Sequence, residues 1–359
     1  MADKWVQLFP AAKPFPINGI GDFGLGSDEN LNEIVFFGGY DGAPRDETWR
    51  WPYGGSTWIQ DSPATPPTAT SDVSLAYLPS TQEILLFNGG TSALAETWLR
   101  DSTRQWSNPS PATSPTARNG YGIASDVVND RAIMFGGQVG ASYLDETWAY
   151  DPGGVNWANL APTTKPTPRR RPAMGYDPIR EQVVLFGGED VGEAFDDTWV
   201  FDVTDEWTEL FPVDHPIGGV GVVDEFPVSP NMAWDPVRER LVMVTILFSA
   251  SPRILRGWLW DGMNWELIET CTADVPSGRT GTGIAQDLTA GVGILFGGRN
   301  PVLTNTTYND TWEFPVSCDV PPPTPPTQYQ RIFGWRASID DNALETIEVL
   351  TSPQTGSSG

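Results

Sequence analysis

The sequence predicts an all-β protein built from six repeated four-stranded units, and three observations carry that prediction. First, five stretches share one pattern: an apolar run closed by Gly-Gly and followed, after a loop of variable length, by a polar or acidic residue, Thr and Trp. They are FFGGYDGAPRDETW (36–49), LFNGGTSALAETW (86–98), MFGGQVGASYLDETW (134–148), LFGGEDVGEAFDDTW (185–199) and LFGGRNPVLTNTTYNDTW (295–312). Second, the marker tryptophans recur at a nearly constant period: Trp49 to Trp98 is 49 residues, Trp98 to Trp148 is 50, and Trp148 to Trp199 is 51. Third, no stretch has sustained helical periodicity; short runs rich in Val, Phe, Trp and Tyr alternate with turn residues. Self-similarity at this period indicates an array of identical supersecondary units.

The interval from Trp199 to Trp312 is 113 residues, which leaves room for one further, degenerate unit. Met232-Ala233-Trp234-Asp235-Pro236 resembles Met174-Gly175-Tyr176-Asp177-Pro178, LVMVTILF (241–248) replaces the run ending in Gly-Gly, and Gly257-Trp258 replaces Thr-Trp. The fourth unit shows the elements most clearly. Strands are predicted at 173–177, 182–186, 198–202 and 207–210, with turns such as Asp177-Pro178 between them. Gly-Gly ends the second strand because the chain turns sharply there, and glycine accepts positive φ and close backbone approach. The Trp of the third strand supplies a large face for burial between neighbouring sheets. Pro-rich connectors, SPATPPTAT (62–70), SPATSPTAR (110–118) and APTTKPTPR (161–169), are low-entropy links between units.

These residues resemble the kelch repeat, over roughly residues 1–318. The resemblance implies a six-bladed β-propeller with four strands per blade, similar to the central domain of galactose oxidase but without its copper site. The last unit stops after Trp312-Glu313-Phe314 and has no fourth strand, whereas the chain begins with Trp5-Val6-Gln7-Leu8, which matches Trp207-Thr208-Glu209-Leu210. An N-terminal strand over 4–9 is therefore expected to complete the last blade and remove an exposed edge. A Pro-rich spacer follows at 319–328, and then two short apolar runs at 329–339 and 344–352. An isolated hairpin is marginal in water, so these runs are expected to dock on a partner through Tyr329, Ile332, Phe333, Trp335, Ile347 and Val349.

Composition excludes several functions. With 46 Asp+Glu against 21 Lys+Arg the net charge is −25, which disfavours nucleic acid and anionic membranes. No apolar run is long enough to span a bilayer, and the N-terminus has no h-region of a secretory signal; the expected setting is a virion or an extracellular one. The single histidine, His215, cannot supply a copper site and has no G-x-S-x-G partner, so no enzyme is expected. Two cysteines do not define a framework. Cys271 and Cys318 each lie six residues beyond a marker Trp, so a disulfide between the fifth and last units and a pair of free thiols both remain open.

Two sets of repeated polar positions remain. Glu47, Glu96, Glu146, Asp197 and Asp310 precede Thr-Trp; the plain reading is local backbone bonding, and the alternative is a carboxylate ring for calcium. No other cofactor is expected. Arg118, Arg169 and Arg279 each stand eight residues before the end of the first strand, with Thr70 in place of Arg in the second unit. They are expected around one mouth of the central channel, either as salt bridges between blades or, joined by Arg253 and Arg256 of the degenerate unit, as a carboxylate-reading site. The function expected is a non-enzymatic binding or structural subunit of a larger assembly, such as a virion decoration or adhesion protein. The alternative is a secreted or cell-surface carbohydrate-binding protein that uses the Arg-bearing mouth.

Overall fold

A computed structural model describes residues 3–15, 19–89, 94–192, 194–216, 225–227, 231–250, 252–271, 274–301 and 306–318. The described residues fall in the first of two units of the chain, Met1–Pro323. The docking residues expected at 329–349 lie outside the described residues.

The first unit is a propeller of six antiparallel sheets. Blade 1 runs Gly24–Asp28, Glu33–Phe37, Thr48–Pro52 and Ile59–Gln60 from the innermost strand outward, and blade 2 runs Leu75–Leu78, Glu83–Asn88, Glu96–Arg100 and Trp106–Ser107. Blade 3 uses Gly122–Asp126, Arg131–Phe135, Thr147–Asp151 and Asn156–Asn159, and blade 4 uses Ala173–Asp177, Gln182–Glu189, Ala194–Phe201 and Trp207–Leu210. Blade 6 consists of Gly283–Asp287, Val292–Phe296 and Thr311–Ser317, and its outer strand is Asp3–Leu8 from the start of the chain. Closure by the N-terminal strand is thus seen, one residue earlier than the sequence placed it.

Each second strand is buried on both faces, which explains why these runs read as continuously apolar rather than alternating. Successive side chains still point opposite ways. Ala132 and Met134 pack with blade 2 residues such as Phe87 and Leu99, while Ile133 and Phe135 pack with Leu185 and Trp199 of blade 4. The core is therefore a set of apolar clusters, each shared by two adjacent blades.

The Gly pair is a joint between blades. In blade 3, Gly136 and Gly137 have φ of 71° and 98°, and Gly137 N–H donates to Arg169 O of blade 4 at 2.9 Å. A Cβ on Gly136 would sit 2.6 Å from that carbonyl, so the approach requires glycine. A second joint links the repeats' other conserved words. The indole N–H of each outer-strand Trp donates to the Thr of the preceding blade's Thr-Trp: Trp106 to Thr48, Trp157 to Thr97, Trp207 to Thr147, Trp265 to Thr198, and Trp58 to Thr311 across the ring closure, at 2.9–3.1 Å.

The closing strand lacks this latch. Its Trp5 faces blade 5, where Gly257 replaces the Thr, and the Trp5 indole N–H has no partner among the described residues; the ring stacks on Phe314 at 3.9 Å instead. Here the structure joins Cys271 to Cys318. The sequence left this pairing open. The first strand brings the two cysteines together, because Asp3 accepts a bond from Cys271 N–H on one side and pairs with Ser317 on the other.

Blade 5 departs most from the repeat. Its second and third strands, Arg240–Leu247 and Ile254–Trp260, pair from Leu241↔Trp260 to Leu247↔Ile254 without the register shift that accompanies the Gly pair in blade 4. Two short segments, Glu225–Pro227 and Ala233–Asp235, share the inner edge, and Trp265–Leu267 is the outer strand.

Candidate functional site: the axial mouth

Arg118, Arg169 and Arg279 do not form a ligand site. They are 1%, 0% and 0% exposed, and each is clamped within its own blade. Arg169 donates to Gly187 O at 2.9 Å, to Thr167 O at 3.0 Å and to both carboxylate oxygens of Asp197. Arg118 makes the same bonds to Gly136 O, Thr116 O and Glu146, and Arg279 to Gly297 O, Ser277 O and Asp310. The salt bridging expected between blades is in fact internal to each blade, because the Arg side chain folds back over the Gly turn of its own sheet.

Similar contacts account for four of the five acids before Thr-Trp, Glu47 being the exception. Glu96, Glu146, Asp197 and Asp310 each accept the indole N–H of the Trp two residues on, at 2.8–3.1 Å. Among the described residues no group of three His, Cys, Asp or Glu side chains is arranged to hold a metal ion. In blade 2, where Thr70 replaces the Arg, the Asn88 amide reaches Glu96 at 3.4 Å. In blade 5 the pair is charge-reversed: Glu225, 1% exposed, takes the Arg position, and Arg256 stands before Gly257-Trp258, 3.4 Å from it. Glu225 also accepts from Trp258 Nε1 at 2.8 Å.

The residues that do reach the axis lie two positions further along. Asp22, Asp72, Gly120, Arg171 and Gly281 are equivalent in five blades, and all have left-handed backbones, with φ of 56°, 62°, 63°, 55° and 63°. Their amides form a head-to-tail belt: Asp22 N–H donates to Gly281 O, Asp72 to Asp22, Gly120 to Asp72 and Arg171 to Gly120, at 2.5–3.0 Å. Holding three non-glycine residues in this region costs about 1–3 kcal/mol each, a form of strain that collects at functional sites. The two glycines follow from the neighbours, since a Cβ at Gly281 would collide with the Asp22 carboxylate.

Above the belt lies a cavity of about 360 Å³. One side is charged. Arg171 grips Asp72 through Nε–Oδ1 at 3.0 Å and Nη2–Oδ2 at 3.2 Å, and stands 3.7 Å from Asp22; Arg299 closes on Asp22 from blade 6, and Arg170 holds Glu189 at 2.9 Å. Burial pushes the Asp22 carboxyl up; Arg171 pulls it down and Asp72 pushes it up again, and the net direction is upward. The field of Asp72 holds the Arg171 guanidinium more firmly protonated than usual. The other side is apolar, formed by Phe23 and Val73 with Phe226, Pro227 and Phe248 of blade 5. Phe226 and Phe248 meet edge-on at 5.2 Å, so the extended strands of the degenerate blade build this wall.

The sequence singled out these loops through Arg118, Arg169 and Arg279, and the residues that line the cavity lie two positions further along. The signal was present in the run Arg169-Arg170-Arg171 and in the non-glycine residues Asp22 and Asp72 at the position occupied by Gly120 and Gly281. Arg253 lies outside this cavity, and Arg256 is tied to Glu225. His215 sits in a loop, 3.9 Å from Asp196, and takes no part in the mouth.

A family model described as the KLHDC2/KLHL20/DRC7 Kelch-repeats domain matches residues 29–218. No curated protein matches the chain. Kelch propellers are protein-interaction modules. The match spans more than half of the sequence, from the second strand of blade 1 through blade 4; the Gly-Gly joint and the Trp-to-Thr latch recur in blade 6, and the chain therefore belongs to the Kelch-repeat family.

Proposed function

We propose that this chain is a non-catalytic binding subunit of a larger assembly, and that its propeller docks a protein partner on the axial mouth. The observation that carries this reading is the belt: three strained residues hold an Asp–Asp–Arg cluster beside an apolar wall in a concave site of about 360 Å³. Ligand sites combine apolar lining with a few oriented polar groups in this way. The charged groups of the mouth are paired with one another, which supports binding rather than catalysis. The Cys271–Cys318 disulfide supports an oxidising, extracellular setting, of which a virion surface is one case. A net charge of −25 favours a basic partner surface.

A photo-crosslinking residue at Thr280, which lines the cavity and is only partly buried, tests the reading. The expected result is one adduct of defined mass that is lost in Arg171→Ala and in Phe248→Ala. An adduct that survives both substitutions overturns the mouth as the docking site.

A further inference from the structure

In this acidic protein every described arginine but one has a carboxylate within ion-pairing distance. The exception is Arg253, at the point where blade 5 departs from the repeat. Its Nε is buried without a hydrogen-bond partner among the described residues, and its guanidinium lies 5.1 Å from the Phe248 ring. With a net charge of −25, an arginine left without an acid among the described residues is a local exception that asks for an anion from outside.

Arg253 lines a second cavity, of about 220 Å³, between blades 5 and 6. Pro252, Ser277, Gly278, Asn300, Pro301 and Tyr308 complete its lining. The position of Arg253 is set by its backbone, whose carbonyl accepts from Gly278 N–H at 2.8 Å. Tyr308 is held in place as well: its hydroxyl accepts from Asn300 Nδ2 at 3.1 Å, and the Arg279 guanidinium lies 4.0 Å from its ring centre. The cavity is smaller than the roughly 300–1,000 Å³ that encloses a whole small-molecule ligand, so it suits one unit of a longer chain.

We propose that this pocket binds the carboxylate-bearing unit of an acidic saccharide. The guanidinium of Arg253 takes the carboxylate, since its fork of donors matches that geometry. Pro252, Pro301 and Tyr308 offer apolar faces to a sugar ring, and Asn300, Ser277 and the Tyr308 hydroxyl surround the remaining space with groups that bond hydroxyls. An acidic peptide side chain needs the guanidinium and an apolar slot only, and leaves those polar groups without a role. The acidic field of the whole molecule opposes dense polyanions, so the saccharide carries isolated carboxylates.

Titration of the full chain with glucuronate, glucose, glutarate and sulfate, followed by NMR, tests the proposal. Glucuronate is expected to bind saturably and at least tenfold more tightly than glucose. Arg253→Gln is expected to abolish that preference without changing the melting temperature, and Arg253→Lys, which keeps the charge but loses the fork, to fall between the two. Equal binding of glucose, or glucuronate binding that survives Arg253→Gln, overturns the assignment. Glutarate or sulfate binding as tightly as glucuronate overturns it in favour of a general anion site.

Discussion

Arg279 and Asp310 show how much one residue pair decides. Arg279 is almost fully enclosed, and removing its acid leaves a buried cation with carbonyl partners but no counter-charge. Asp310→Asn is therefore expected to cost about 3 kcal/mol at pH 7 in urea denaturation. The pH dependence follows from the direction of the shift. Burial raises the Asp310 carboxyl, but the bond and charge of Arg279 outweigh it and hold the group below its ordinary 3.8. Its contribution is present above that value and is lost as pH falls through the folded pKa. Asp22 behaves oppositely: burial leaves it raised, so stability through this group is complete below 3.8 and is lost as pH rises through the folded pKa. The Asp310→Asn penalty should shrink from pH 7 to pH 3, whereas Asp22→Asn should gain on the wild type from pH 3 to pH 7. Parallel pH profiles for the two variants would contradict these assignments.

At the scale of the blade, stability resides in the joints. Thr147 accepts the Trp207 indole at 2.9 Å in a site where both residues are buried. Thr147→Val keeps the shape and leaves the indole N–H unpaired, for an expected loss of about 1–3 kcal/mol. A loss below about 0.5 kcal/mol would show that the latch is ornamental. The blade 5 to blade 6 joint has no such bond to lose, because Gly257 packs against Phe314 where the Thr would stand. Repetition thus predicts the energetics of five joints and fails at the sixth, where a local exception was compensated by a different device.

At the scale of the whole molecule, that device holds the ring shut. The disulfide spans 47 residues of sequence and brackets the N-terminal strand, so its loop-closure contribution is about 4 kcal/mol in the chain-entropy account. Cys271→Ser with Cys318→Ser is expected to lower the melting temperature and to raise hydrogen exchange selectively in residues 3–8 and 311–317. Uniform exchange throughout the propeller would mean that the clasp does not control closure. The fold was legible because the repeat is periodic: Gly-Gly, Thr-Trp and the missing fourth strand at the end of the chain each answer a packing demand made six times. The candidate site was only half legible. Arg118, Arg169 and Arg279 stood out by charge, but a charge does not reveal whether its side chain folds back over its own Gly turn or reaches the axis.

The sequence by itself determined the blade count, the strand order within a blade and the use of the first strand to close the last, because these follow from local turn chemistry and from apolar runs of fixed period. Only the tertiary structure decided that Asp22, Asp72 and Arg171 share the mouth, that Cys271 meets Cys318, and that Arg253 stands without an acid among the described residues. These are contacts between blades far apart in sequence. They depend on where the ring carries each loop, which no local pattern encodes.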